Sequence, residues 1–154
     1  MRDALAARAR RWAAAVAPDR AYEATTLGAA EAAVHGHDGP LLLAAPDVPA
    51  LSAALAHAAL EDIAAGCDVV VGASHDARPY LVGVRRPEPE LIEIAGETFG
   101  GGLLVAFAQR GGVLGMLRSE RRLSSAEDAR ALALDPLAPP DLRAILGLPG
   151  PRPR

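Results

Sequence analysis

Apolar positions along this chain come in short runs cut by Pro, Gly and acidic residues, and their period changes from segment to segment. Arg2 to Val16 is rich in Ala, with Leu5, Trp12 and Val16 on one stripe, which predicts an amphipathic helix that Pro18-Asp19 closes. Tyr22, Thr25 and Thr26 give Arg20 to Thr26 the β preference of a short strand, and Gly28 to His35 reads as a helix ended by the turn Gly36-His37-Asp38-Gly39. Leu41 to Ala45 is apolar at every position. That is the pattern of a central strand buried on both faces. Pro49 suits the first turn of a helix that carries Leu51, Leu55, Ala58, Ala59 and Ile63 on one side and stops at Gly66.

The second half continues the alternation. Asp68 to Gly72 and Tyr80 to Val84 read as strands, the latter with Pro79 at its start, where proline is tolerated. Leu91 to Ile94 fits either a brief strand or a helical turn. Leu103 to Gln109 fits a two-turn helix, Val113 to Leu117 a last strand, and Asp141 to Leu146 a final short helix. Ser124 or Ser125 opens the helix before it, with a capping box between Ser124 and Glu127. This order predicts an α/β fold, a three-layer sandwich around a mostly parallel central sheet, as one domain over residues 1–148 with a disordered tail at Pro149 to Arg154.

Composition narrows the picture. Hydrophobic residues make up 51% of the chain but aromatic ones only 3%, so the core must be built of Ala, Leu and Val. A net charge of −3 gives no electrostatic basis for a nucleic-acid partner. Cys67 is the only cysteine, which excludes an internal disulfide, and its place before a buried strand reads as a small core residue. No stretch reaches the roughly 20 apolar residues of a membrane span. The expectation is a soluble, cytoplasmic protein.

Chemistry is concentrated at two strand ends. Asp47 follows the Leu41 to Ala45 run and Asp76 follows Val69 to Val71. Ligands of open α/β sheets bind outside the carboxyl ends of the strands, so both acids are candidates to face one crevice. Asp47 has a structural alternative, as the cap of the helix after it. His75 is either a general base or a solvated loop residue. His35, His37 and Asp38 lack the further ligands of a metal clip and read as a surface turn. His57 and Glu61, one helical turn apart, read as a solvated pair. Gly100-Gly101-Gly102 suits a flexible turn better than a phosphate cradle, and the runs Arg8, Arg10, Arg11 and Arg118, Arg121, Arg122 are solvated faces or phosphate contacts.

The order LLLAAPDVPAL, then a helix, then DVVVGASHDARPYLVGV, resembles the GT-A-like enzymes that use nucleotide-diphosphate sugars. The resemblance runs from about Gly39 to Leu132 and is strongest to a bacterial branch of uncharacterised glycosyltransferase-like proteins, related to the guanylyltransferases of molybdopterin cofactor synthesis. It implies a shortened GT-A-type fold that transfers a sugar or nucleotidyl group from a nucleotide or nucleotide-sugar donor. It also implies Mg²⁺ or Mn²⁺ held by Asp47, with Asp76 positioning the acceptor, and His75 is the candidate general base beside it. Three departures stand out. Where the family reads Glu-Asp-Gly-Gly, this chain has His75-Asp76-Ala77-Arg78. The family's Asp-x-Asp-Thr-Pro-Glu-Asp is replaced by Arg122-Leu123-Ser124-Ser125-Ala126-Glu127-Asp128, and no counterpart of its first strand and basic loop is evident. These departures support the rival reading, a non-catalytic relative used for self-association or ligand binding. A shortened sheet leaves an edge to be covered, so a homodimer is expected in either case.

Overall fold

The computed structural model describes residues 2–89, 92, 103–135, 138 and 140–147. The expectations for Gly100 to Gly102, for the tail at Pro149 to Arg154, and for Leu91 to Ile94 apart from a buried Ile92 lie outside these residues. Helix α1 spans Arg2–Val16 and α2 Leu27–Val34. They are followed by β1 (Leu41–Ala44), α3 (Ala53–Ala64), β2 (Val69–Ala73), β3 (Pro79–Val84), α4 (Leu103–Arg110), β4 (Leu114–Met116), α5 (Ala126–Leu134) and α6 (Pro140–Ile145). No helix among the described residues is long and apolar enough to cross a membrane.

The four strands form one sheet in the order β1-β3-β2-β4. Strand β3 pairs antiparallel with both β1 and β2, and β2 pairs parallel with β4. The sheet is therefore mixed, where the alternating elements predicted a mostly parallel one. The reason is the link between β2 and β3. Parallel neighbours need a crossover of a dozen or more residues, and Ser74 to Arg78 is only a hairpin turn. Ala77 N–H donates to the Ser74 carbonyl and Ser74 N–H to the Arg78 carbonyl, both at 2.8 Å. Ala77 sits at φ +63°, in the left-handed region that glycine occupies without cost.

Strand β1 also differs from expectation. It is an edge of the described sheet, and its four residues are half-buried rather than enclosed. The interior positions belong to β3, buried at all six residues, and to β2, buried from Val69 to Gly72. An unbroken apolar run reports burial of side chains but not whether both backbone edges are paired.

Two apolar clusters flank the sheet. Leu55, Ala59 and Ile63 of α3 pack with Val70, Tyr80 and Leu81, and Val69, Val71, Val82 and Val84 pack with Phe107 of α4. A third cluster joins Leu5 of α1 to Leu123, Leu132, Ala138 and Leu142. The predicted α1 stripe thus bridges two clusters, since Trp12 packs on the first and donates its indole N–H to the Ser52 carbonyl at 2.9 Å.

Three local expectations shift by capping chemistry. Arg20 to Thr26 forms no strand; Tyr22 is 64% exposed, and the Thr26 hydroxyl instead caps α2 by accepting the Ala29 N–H at 3.2 Å. Helix α3 begins after Ser52, which accepts the Leu55 N–H at 3.3 Å, rather than at Pro49. Helix α5 has a capping box, but between Ser125 and Asp128, one residue beyond Ser124 and Glu127.

Candidate functional site at the strand tips

Strands β1, β2 and β4 run in the same direction, so the segments that leave their C-terminal ends gather at one end of the sheet. Asp47 leaves β1, Ser74 to Arg78 leaves β2, and Arg118 to Arg122 leaves β4. These segments are stitched together through the backbone. Leu123 N–H donates to the Asp47 carbonyl at 2.8 Å and His75 N–H to the Glu120 carbonyl at 3.3 Å. The Tyr80 hydroxyl, fully buried under them, donates to the Arg118 carbonyl at 2.9 Å, and burial pushes its pKa up to about 12.

Asp47 is not a helix cap. Its two oxygens accept a forked pair of bonds from Arg122, with Nε 3.0 Å from Oδ1 and Nη2 3.0 Å from Oδ2. The remaining Arg122 nitrogen, Nη1, donates to the Pro79 carbonyl at 3.3 Å. The two side chains are only 12% and 23% exposed, so this bidentate pair is largely withdrawn from water.

Asp76 is engaged in the same way at the turn. Arg78 Nε donates to Oδ2 at 2.7 Å, and Oδ1 accepts the Ser74 hydroxyl and, at 3.3 Å, the Arg78 backbone N–H. The Arg78 guanidinium and the Ser74 hydroxyl hold the Asp76 carboxyl at a pKa of about 2, below the ordinary 3.8. Arg78 itself is held more firmly protonated, first by its bond to Asp76 and also by the fields of Asp47 and Asp128. Its Nη2 reaches the Ser124 hydroxyl at 3.2 Å. The two acids singled out in the sequence therefore do share one neighbourhood. His75 projects from the same turn, exposed, and its ring makes no hydrogen bond among the described residues.

The donor set does not fit a divalent cation. Mg²⁺ and Mn²⁺ need free carboxylate oxygens, and both oxygens of Asp47 and of Asp76 are already taken by arginine or hydroxyl donors. Among the described residues no group of three or more His, Cys, Asp or Glu side chains converges. At 122, where the resemblance implies a metal-holding acid, the side chain is the guanidinium that binds Asp47. Of the two acids that segment does carry, Glu127 and Asp128, the latter accepts from Ser125 and Ser124, and its pKa is lowered chiefly by the Ser125 hydroxyl.

The decisive partners in this site are Arg78, which the pattern of the chain did not single out, and Arg122, which it read within a run of solvated or phosphate-contacting arginines but which is only 12% exposed and bound to Asp47. Arg78 had a local signal, a guanidinium two residues beyond an acid in a tight turn. Arg122 had none, because 75 residues separate it from Asp47. The other candidates are local. His37 rings with the Pro40 carbonyl at 3.1 Å and Arg20 at 3.4 Å, and exposed His57 lies 3.1 Å from Glu61 as a solvated pair. Two cavities lined by described residues open at the other end of the sheet. One of ≈ 420 Å³ is lined by residues that include Asp68, Arg85 and Arg110, and one of ≈ 390 Å³ by residues that include Glu31, His35 and His37.

No model of a protein family matches the sequence, and no curated protein matches it. Among solved structures the fold is similar to that of a candidate nucleotide-diphospho-sugar transferase from Desulfovibrio desulfuricans G20, with a TM-score of 0.56 and 22% identity. The match covers 73% of this chain and 52% of the other, so the chain spans about half the length of that protein. At that identity the likeness is one of fold.

Proposed function

We propose that the chain is a nucleotide-diphospho-sugar transferase-type domain adapted to bind a nucleotide or nucleotide-sugar ligand without a catalytic metal. One observation carries this reading. Arg122 grips both oxygens of Asp47, so the carboxylate that would hold a metal is already satisfied by a side chain, and the partly exposed Arg78 is the guanidinium at the tip that a diphosphate could reach. The fold likeness supports the ligand class, and the closed Asp76–Ser74–Arg78 circuit supports a rigid rather than a reactive tip.

The test is calorimetric titration with nucleoside diphosphates and their sugar conjugates, in Mg²⁺, in Mn²⁺ and in chelator. Binding that is indifferent to the metal and weakened by Arg78→Gln is expected. Heat that requires the metal and vanishes in Asp47→Ala would replace this reading with a metal-dependent glycosyl- or nucleotidyltransferase. That second reading is favoured by one feature, the exposed His75 standing beside Asp76 at the tip. Silence across all nucleotides would remove the ligand class altogether. Self-association through the outer edge of β1 belongs to the same proposal, because that edge is unpaired among the described strands. A concentration series in sedimentation velocity that stays monomeric would dismiss it.

A further inference from the structure

At the end of the sheet away from Asp47 and Asp76, three guanidiniums line a single cleft. Strand β3 runs out into Arg85 and Arg86, and the chain folds back at once, with Arg85 N–H donating to the Asp68 carbonyl and Glu88 N–H to the Arg86 carbonyl, both at 2.9 Å. This places consecutive side chains around one hollow of ≈ 420 Å³, closed by Asp68, Glu88, Phe107, Arg110, Gly111 and Gly112. The arginines are not equivalent. Arg85 is fixed by Asp68 at 3.4 Å and by the Cys67 carbonyl at 3.2 Å, and Arg110 is paired with Glu88. Asp68 is itself fixed, since its other oxygen accepts the Val113 N–H at 2.9 Å. Arg86 has no hydrogen bond or ion pair among the described residues and is exposed.

Among the described residues, two carboxylates therefore orient two of the guanidiniums and leave Arg86 without one, so the described lining sets three positive charges against two negative. The floor is shaped as well. A Cβ at Gly112 would lie 2.4 Å from the Phe107 ring, so the ring can pack under the loop only because position 112 has no side chain.

We propose that this cleft is a second ligand site, specific for a phosphate monoester. A phosphate presents three terminal oxygens and suits donors converging from three guanidiniums, whereas a carboxylate presents only two. The volume leaves room beyond the phosphate for a small organic body beside Gly111, where nothing crowds the Cβ position, within the size range of small-molecule sites. This site shares no residue with the strand tips and does not depend on how they are read.

The experiment is titration of the full chain with inorganic phosphate and with glycerol 3-phosphate, followed by backbone amide NMR shifts. Saturable shifts at Arg86, Gly111, Gly112 and Val113 are expected, with tighter binding of the ester than of inorganic phosphate. Arg86→Gln, at an exposed position that holds nothing else in place, should weaken binding about tenfold through loss of a charge-assisted pair, while Arg10→Gln, on α1 and paired with Glu23, leaves it unchanged. Shifts that do not saturate, that centre on Asp47 and Asp76 instead, or that persist undiminished in Arg86→Gln would overturn the proposal.

Discussion

At the scale of single residues, the strand tips are governed by two arginine–aspartate pairs of unequal burial. Removing Arg122 leaves Asp47 an ion largely withdrawn from water and without its partner. Arg122→Gln should destabilise the fold by about 2–3 kcal/mol in urea denaturation, somewhat below the cost for a fully enclosed pair. Adding Asp47→Asn to that variant should recover part of the loss, and a purely additive double mutant would argue that the pair is not coupled. Asp76 makes a different prediction because it is nearly half exposed, at 46%. Its folded pKa is about 2 against an ordinary 3.8, so the stability it contributes is present above 3.8 and lost as pH falls through about 2. Asp76→Asn should flatten the stability profile across that acid window and leave the profile near neutrality parallel to that of the unaltered chain. Ala77 is the third residue of interest. Held at φ +63°, it should accept glycine with a gain of about 0.5–1 kcal/mol, since relief of the left-handed strain exceeds the added freedom of the unfolded chain.

At the scale of elements, the β2–β3 hairpin is the part that places the site. Its turn aims Asp76 and Arg78 at the tip of β1, and Gly72 packs closely under Tyr80 just before the β2–β3 register shifts between Gly72 and Ala73. A Cβ at Gly72 would lie 2.5 Å from the Tyr80 ring, which is fully buried and anchored by its hydroxyl. Gly72→Ala should therefore cost about 1–3 kcal/mol, visible as a lower midpoint in thermal unfolding, because a buried, hydrogen-bonded ring has nowhere to move. Capping decided the helix starts. Ser52 and Ser125 accept N–H groups three residues ahead, and these hydroxyls set boundaries that a proline or an upstream serine had suggested elsewhere.

At the scale of the whole molecule, the chain separates two regions of ordered charge at opposite ends of one sheet. The strand-tip region is internally neutralised, and the cleft at Arg85, Arg86 and Arg110 is not. Ligand linkage turns this into a measurable contrast. Phosphate esters should raise the thermal midpoint in proportion to the logarithm of their concentration, whereas Mg²⁺ or Mn²⁺ alone should leave it within about one degree of its value in chelator. A metal-dependent rise that Asp47→Ala removes would show the strand-tip carboxylates to be available after all.

Much of this was legible along the chain because local rules reach far enough. The helical stripe of Leu5, Trp12 and Val16, the apolar strands around Val70 and Val82, and the placement of Asp47 and Asp76 at strand ends all follow from periodicity and punctuation within a few residues. What local rules cannot reach is which backbone lies beside which. Tertiary structure put β3 between β1 and β2, left the uniformly apolar Leu41 to Ala44 at an edge, and carried Arg122 across 75 positions to cover Asp47. Side-chain character decides what is buried, but the partner of a charge is settled only when distant segments meet. For this chain, that meeting gave Asp47 its arginine, whereas Asp76 found Arg78 only two residues away.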